Sequence, residues 1–276
     1  MKIGIDAGNY AVKICGDKGL LHFNSAIGEA REIKLQQQHG YDDMVFEYEG
    51  EKGFAGSLAE YESEFGGSLM GMSKMHRDTK LRVLIGIHRY CETYKVSDSN
   101  FEIVVGQPIS NHSIEEKEKI KSMLKGEHVI TVNGIERSFN ISKVEVAAEG
   151  VTSFWSNPSQ GKVRILDIGS GTVNFATVID SRYVDRESGT IPFGVNTNKS
   201  DSLKSLSRGV ATHTLKKWSA DDKVLLVGGI AETVLPHIKE YFTNVEVLYP
   251  VFNGQYVNPI YANAIAFYIV AVNIYE

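Results

Sequence analysis

Two segments of this chain carry the same arrangement of groups able to bind a phosphate. Ile5-Asp6-Ala7-Gly8-Asn9-Tyr10-Ala11-Val12-Lys13 lies near the start, and Leu166-Asp167-Ile168-Gly169-Ser170-Gly171-Thr172-Val173-Asn174 in the second half. In each, an apolar strand ends at an aspartate, a glycine follows two residues on, and a polar turn leads into a second strand. Glycine allows a tight reversal and has no side chain to block an anion. Successive backbone N–H groups in such a turn form an anion-binding concavity. An aspartate at the strand end is a hard oxygen group, suited to hold magnesium through the ion's water shell next to phosphate. Lys13 adds a point charge for a phosphate oxygen. Gly8, Asn9, Tyr10, Gly169, Ser170, Gly171 and Thr172 are therefore candidate phosphate contacts, and Asp6 and Asp167 candidate magnesium residues. Each turn alone is equally an ordinary hairpin with a capping aspartate. The matched pair favours one phosphate gripped from two sides. Two carboxylates that close repel, so such a site needs a cation or a proton. Neither hairpin has the Walker or GxGxxG pattern, which excludes a P-loop or Rossmann site.

The rest of the chain must position these turns. Its 276 residues fit one large or two medium domains, with the apolar and charged fractions of an ordinary globular protein. The net charge of −5 argues against DNA binding by bulk electrostatics. Two cysteines, Cys15 and Cys91, form neither a disulfide framework nor a zinc motif, which fits a reducing cytoplasm. The chain opens directly on a strand, with no signal-peptide pattern. Its longest apolar run, residues 264–272, is too short to span a bilayer and reads as a buried C-terminal helix.

Residues 2–6, 11–15 and 20–26 read as a meander of three strands. Residues 28–75, polar and rich in glycine and tyrosine with Gln36-Gln37-Gln38 and Gly66-Gly67, read as a small inserted subdomain with mobile loops. The spacing of Leu81, Val83, Leu84, Ile87, Tyr90 and Cys91 predicts a helix over 80–94, followed by a strand at 101–106. Ser113 and Glu116 form a capping-box pattern before a helix over 114–125. Asn133-Gly134 joins strands 129–132 and 135–141 as a hairpin. A separate strand at 143–146 and a helix at 147–156 close the first half. The second half restarts with strands at 163–168, 173–180 and 189–193, a helix over 200–218 and a strand at 223–227 ending in Gly228-Gly229. A helix over 231–242 containing Pro236, a strand at 245–249 and a helix over 261–272 complete it. Both halves thus run from meander to helix, strand and helix, an α/β duplication. Its boundaries are expected at 1–156 and 157–276.

The ordered set of motifs resembles the actin/Hsp70/sugar-kinase superfamily. Its two phosphate motifs look like residues 6–13 and 166–172, and its connecting motifs like 144–154 and 258–266. Its adenosine motif looks like Leu225-Leu226-Val227-Gly228-Gly229-Ile230-Ala231. Within it the chain is most similar to the bacterial plasmid-segregation actins of the ParM/StbA group, especially the short AlfA type. Gly4-Ile5-Asp6-Ala7-Gly8-Asn9 and Pro259-Ile260-Tyr261-Ala262-Asn263-Ala264 carry that likeness. The resemblance implies an actin-like two-lobed fold around a nucleotide cleft. It implies ATP (or GTP) with Mg, slow hydrolysis coupled to filament assembly, and a separate DNA-binding adaptor on a plasmid centromere. The short stretch from Thr172 to Leu225 implies that subdomain IIB is reduced or absent.

The resemblance also assigns roles. Glu149 would orient the water that attacks the γ-phosphate; its other reading is a first-turn glutamate favoured by the helix dipole. Gly228 and Gly229 would let the backbone approach ribose and adenine, with Glu232 on a sugar hydroxyl, unless they form an ordinary strand-to-helix turn. Gln107 is a weaker candidate at the cleft floor, and His88 reads as structural. The tyrosines from Tyr41 to Tyr61 are either a protomer contact or the core of the insert. The alternative function is a small-molecule kinase of the same superfamily, such as a type III pantothenate kinase. That would require a catalytic aspartate in a Gly-x-Asp-Arg before the second turn. The chain has only Asp185-Arg186, after it.

Overall fold

The structure, a computed structural model, describes residues 1–35, 40–67 and 74–275. The Gln36-Gln37-Gln38 tract lies outside the described residues. Two sheets organise the chain. The first has nine strands: β1 (Lys2–Ala7), β2 (Ala11–Gly16), β3 (Gly19–Asn24), β4 (Ile27–Glu29), β5 (Asp43–Tyr48), β6 (Glu51–Gly56), β7 (Asn100–Gln107), β8 (Gly126–Val132) and β9 (Ile135–Ala148). Their spatial order is β3-β2-β1-β7-β9-β8-β5-β6-β4. The second sheet runs β12-β11-β10-β14-β15, with β13 on β11. Its strands are β10 (Lys162–Ile168), β11 (Val173–Ile179), β12 (Arg182–Tyr183), β13 (Gly189–Ile191), β14 (Lys223–Val227) and β15 (Asn244–Val247). A short hairpin of β16 (Val251–Phe252) and β17 (Gln255–Tyr256) stands apart.

The two sheets share one plan. An antiparallel hairpin, β1–β2 or β10–β11, pairs in parallel with the strand that follows a crossover, β7 or β14. The register makes the duplication concrete. Asp6 lies opposite Lys13 and Asp167 opposite Asn174, so each aspartate occupies the same place in its hairpin. Parallel strands covered on both faces become nearly continuous apolar runs. Val163, Ile165, Leu166 and Ile168 accordingly leave almost no exposed surface on β10.

Among the described residues six helices cover the sheets: α1 (Ser57–Glu62), α2 (Arg77–Tyr94), α3 (Ile114–Leu124), α4 (Leu203–Thr214), α5 (Ala231–Ile238) and α6 (Ala262–Ile274). α2 buries Leu81, Leu84, Ile85 and Ile87 in the core built on Ile3, Ile5, Val12 and Ile14. Its N-terminus is capped by His76, whose ring accepts from the Thr79 N–H, and α3 is capped by Ser113, which accepts from the Glu116 N–H. α4 and α5 cover the second sheet through Leu206, Val210, Val234 and Ile238. α6 crosses back against β1, β2 and β7 of the first sheet. Among the described residues no helix is long and apolar enough to cross a membrane.

Four local expectations change. Residues 135–148 are one strand, not two, and that strand links the core of the first sheet to the insert. β5, β6 and β4 of the insert extend that same sheet through β8, because β8 offers β5 a free edge. Residues 147–156 are not a helix. β9 continues to Ala148, Gly150 reverses the chain at φ +76°, and only residues 152–156 coil, as a 3₁₀ turn. Pro236 sits inside α5, which stops at Ile238. No separate subdomain lies between Thr172 and Leu225, only β11 to β13 and α4.

Candidate functional site: a cleft between the paired turns

Both turns open on one cavity of about 420 Å³. Asp6 and Asp167 are the penultimate residues of β1 and β10, and the turns that follow bring Gly8, Asn9, Tyr10, Gly169, Ser170, Gly171 and Thr172 to its wall. Lys13 from β2, Glu149 beyond β9, and Gly228 and Gly229 beyond β14 complete the foreseen set. The strand ends converge because each lies at the same end of a parallel run, where open α/β sheets place their ligands.

The second turn is built to present N–H groups. A strap at residues 194–197 takes up its carbonyls: Val195 N–H donates to Gly169 O at 3.0 Å, Asn196 N–H to Ser170 O at 2.8 Å, and the Thr197 hydroxyl to Gly171 O at 3.0 Å. In a trans peptide the C=O and the next N–H point in opposite directions. The N–H groups of Ser170, Gly171 and Thr172 are thereby turned away from the strap. In the first turn, a side chain at Gly8 would place its Cβ 2.9 Å from both Ala11 O and Lys13 Nζ, so glycine keeps this side of the cleft clear. Arg82 of α2 holds the turn from behind, donating to Asn9 Oδ1 at 3.2 Å and to Ser25 O at 2.8 Å.

The floor is acidic and buried. Asp6, Glu149 and Asp167 are each less than a tenth exposed. Lys13 Nζ stands 3.1 Å from Asp6 Oδ2. Burial pushes Asp167 up to about 7; the Asn263 hydrogen bond opposes the shift, and the charges of Glu149 and Asp6 add to it. Burial likewise raises Glu149, against the pull of Lys74. Asp167 and Glu149 thus hold a proton more readily than free carboxylates do, and a bound cation would oppose this. Glu149 Oε1 is buried with no hydrogen-bond donor, and Oε2 is 3.5 Å from Asn174 Nδ2. A buried carboxylate oxygen without a donor has a place for one. Among the described residues no three His, Cys, Asp or Glu side chains cluster closely enough to cage a metal directly.

Four polar residues of the site were not foreseen. Lys74 is buried, with Nζ 3.1 Å from Ala7 O and 3.5 Å from Glu149 Oε1. Asn174 Oδ1 accepts from Ile109 N–H and from the Thr190 hydroxyl, which fixes the amide that faces Glu149. Asn263, at the start of α6, donates to Asp167 Oδ2 at 2.9 Å. Asn196 reaches the cavity on the strap. Asn174 carried a signal, being the register partner of Asp167 as Lys13 is of Asp6. Lys74 had no local motif around it.

Two expected positions lie elsewhere. Glu232 does not line the cavity; it is exposed on α5 and accepts from the Tyr249 hydroxyl at 2.7 Å. Gln107 is fully buried below the cleft, donating to Asn111 O, and its backbone carbonyl accepts from Glu149 N–H at 2.8 Å. Glu149 itself follows a strand, so the helix-dipole reading does not apply. Tyr41 and Tyr61 are exposed, while Tyr48 is buried. His88 is buried and bonded to Ile135 O, a structural role.

The chain is similar throughout its length to solved actin-like proteins. The filament structure of AlfA from B. subtilis plasmid pLS32 superimposes with a TM-score of 0.80 at 19% identity, covering 100% of this chain and 99% of that one. Apo ParM of psk41 gives 0.71 at 18% identity, covering 99% and 97%. The archaeal actin homologue Ta0583 in complex with ADP gives 0.72 at 15% identity, covering 99% of each. No protein of curated function matches the sequence. The family described as "Actin like proteins N terminal domain" matches residues 4–151, more than half of the chain. With two sheets of one plan, and a cleft between their turns, this chain belongs to the actin-like protein family.

Proposed function

We propose that the chain is a nucleotide-dependent, filament-forming actin-like ATPase that moves plasmid DNA apart through a DNA-binding adaptor. The observation that carries this reading is the convergence of both Asp-x-Gly turns, with Lys13, on one cavity. Residues 1–156 and 157–276 form the lobes on either side, with α6 reaching back from the second to the first. The filament form of AlfA and the ADP complex of Ta0583 support assembly and nucleotide binding for this fold.

The nucleotide's phosphates would lie between the turns, on the N–H groups of Ser170, Gly171 and Thr172 and on Lys13. Val195, Ile230 and Ile260 would wall the base, with Gly228 and Gly229 beneath the ribose. Bound magnesium would supply charge neutralisation at the phosphates. Asp6 and Asp167 fit it as ligands to its water shell, since hydrated magnesium needs few direct protein ligands. Glu149 would hold the attacking water in line. Phosphoryl transfer asks for positioning and charge neutralisation more than for covalent help. Sites that close on a nucleotide expel other water and strengthen each of these contacts.

Electron microscopy of the purified chain with Mg-ATP tests the reading, alongside light scattering and phosphate release. Filaments and a rise in scattering on nucleotide addition are expected. Nucleotide binding without assembly, with phosphate passed to a small-molecule acceptor, would favour the kinase.

A further inference from the structure

We propose that Lys74 is a contact for the terminal phosphate, and that Glu149 is its partner only while that phosphate is absent. The inference rests on the nucleotide reading of the same cleft. Lys74 lies in the connection between the insert and α2, yet the residue is only 5% exposed and lines the cavity. Nζ donates to Ala7 O at 3.1 Å, at the end of β1. Its approach to Glu149 Oε1 is 3.5 Å, too long for a strong charge-assisted bond, and that oxygen has no hydrogen-bond donor. An ammonium has three donors, and only one is engaged at good length. Burying a cation this deeply is costly unless it is paired.

The charges around it point the same way. The cavity wall holds three carboxylates, Asp6, Glu149 and Asp167, against two ammoniums, Lys13 and Lys74. Lys13 is taken by Asp6 at 3.1 Å. A polyphosphate entering this floor needs a cation that can turn towards it. Lys74 is loosely held, and it stands beside the first turn and Glu149, the residue that would orient the water attacking the terminal phosphate. Its position therefore selects the last phosphate of the chain rather than the base or ribose.

Calorimetry on the full chain, comparing Mg-AMPPNP with Mg-ADP, tests this with Lys74→Gln and Lys74→Met. Loss of one charge-assisted bond should weaken Mg-AMPPNP by about ten- to a hundredfold, while Mg-ADP changes less than about twofold. Lys74→Arg should recover part of the loss. Adding Glu149→Gln to Lys74→Gln should not restore AMPPNP affinity. Parallel weakening of both nucleotides, or full rescue by Glu149→Gln, would overturn the proposal and leave Lys74 as a neutraliser of Glu149. Should the variants fail to fold, NMR of ¹³Cε-labelled lysines in the parent chain decides. The Lys74 resonance should move with Mg-AMPPNP and stay with Mg-ADP, and equal movement would overturn the proposal. A parent chain that binds neither nucleotide would overturn the nucleotide site, and this contact with it.

Discussion

Asn263 Nδ2 donates to Asp167 Oδ2 at 2.9 Å, joining the first turn of the C-terminal helix to the aspartate near the end of β10. The same amide, through Oδ1, accepts from Gly150 N–H at 3.1 Å. One buried side chain thus fixes an acidic residue of the second turn and the residue that follows Glu149. α6 in turn packs on β1, so the two carboxylates and the first turn share one support.

Asn263→Ala should therefore destabilise the protein by about 2 kcal/mol, because it leaves a buried N–H and a buried carboxylate oxygen without these partners. Asn263→Asp should cost more at pH 8, since it sets a second carboxylate against Asp167. Urea denaturation of both variants without nucleotide measures this. A change below about 0.5 kcal/mol for Asn263→Ala would show that the tie contributes nothing.

Glu149→Gln should lower ATP turnover about a hundredfold or more, with Mg-ATP still bound. Turnover equal to the parent would remove Glu149 as the residue that orients water. Asp167→Ala should impair both Mg-nucleotide binding and hydrolysis while the chain stays folded. Unchanged turnover there would count against the second hairpin as a phosphate site.

Arg82 is wholly buried, and burial, opposed by the charge of Asp78, pushes its guanidinium down to about 10, still charged at neutral pH. Its donors secure Asn9 and the Ser25 carbonyl, and Nη2 makes no hydrogen bond. Arg82→Met should cost about 3 kcal/mol. It should weaken ADP and AMPPNP alike, since it loosens the first turn as a whole. Arg82→Lys should not rescue, because one ammonium cannot reproduce the forked geometry. Wild-type affinities in Arg82→Met would sever this link between α2 and the turn.

Two buried histidines give the fold an acid limit. Burial lowers His88 and His128 below their ordinary value, against hydrogen bonds to Ile135 O and Leu124 O at 2.8 Å that favour the charged form. A carbonyl only accepts, so each Nε2 carries the proton; His128 Nδ1 then accepts from the Tyr48 hydroxyl at 3.2 Å. Below a pH of about 6.5 the unfolded chain takes up protons that the folded chain refuses, so stability is full above that pH and falls as the pH drops. Between pH 7.5 and 5.5 the unfolding free energy of a variant with both histidines replaced by glutamine should fall less than that of the parent. Identical slopes would mean that neither histidine is held neutral by the fold.

The fold and most of the site were legible in the chain because their signals are local. The short apolar runs of β1, β2, β10 and β11, the Asn133-Gly134 turn and the Ser113 cap each lie within a few residues. The Asp-x-Gly pair likewise marks both turns that line the cleft, and its repetition indicates the duplicated architecture. Misreadings fell where local and long-range preferences compete. Ala147-Ala148-Glu149 favours a helix by composition, yet pairing of β9 with β7 extends the strand to Ala148. Glu232 sits next to the right turn but faces Tyr249.

By itself the sequence determined the twinned turns, the candidate carboxylates and the order of motifs, because hairpin geometry and glycine placement depend on neighbours in the chain. Only the tertiary structure decided what surrounds those carboxylates. Lys74, Asn174, Asn196 and Asn263 come from four distant stretches, and a buried charge or amide takes its role from the group that folding sets against it. The raised affinity of Asp167 for protons has the same origin, since burial and opposing charge exist only once the chain has closed around it.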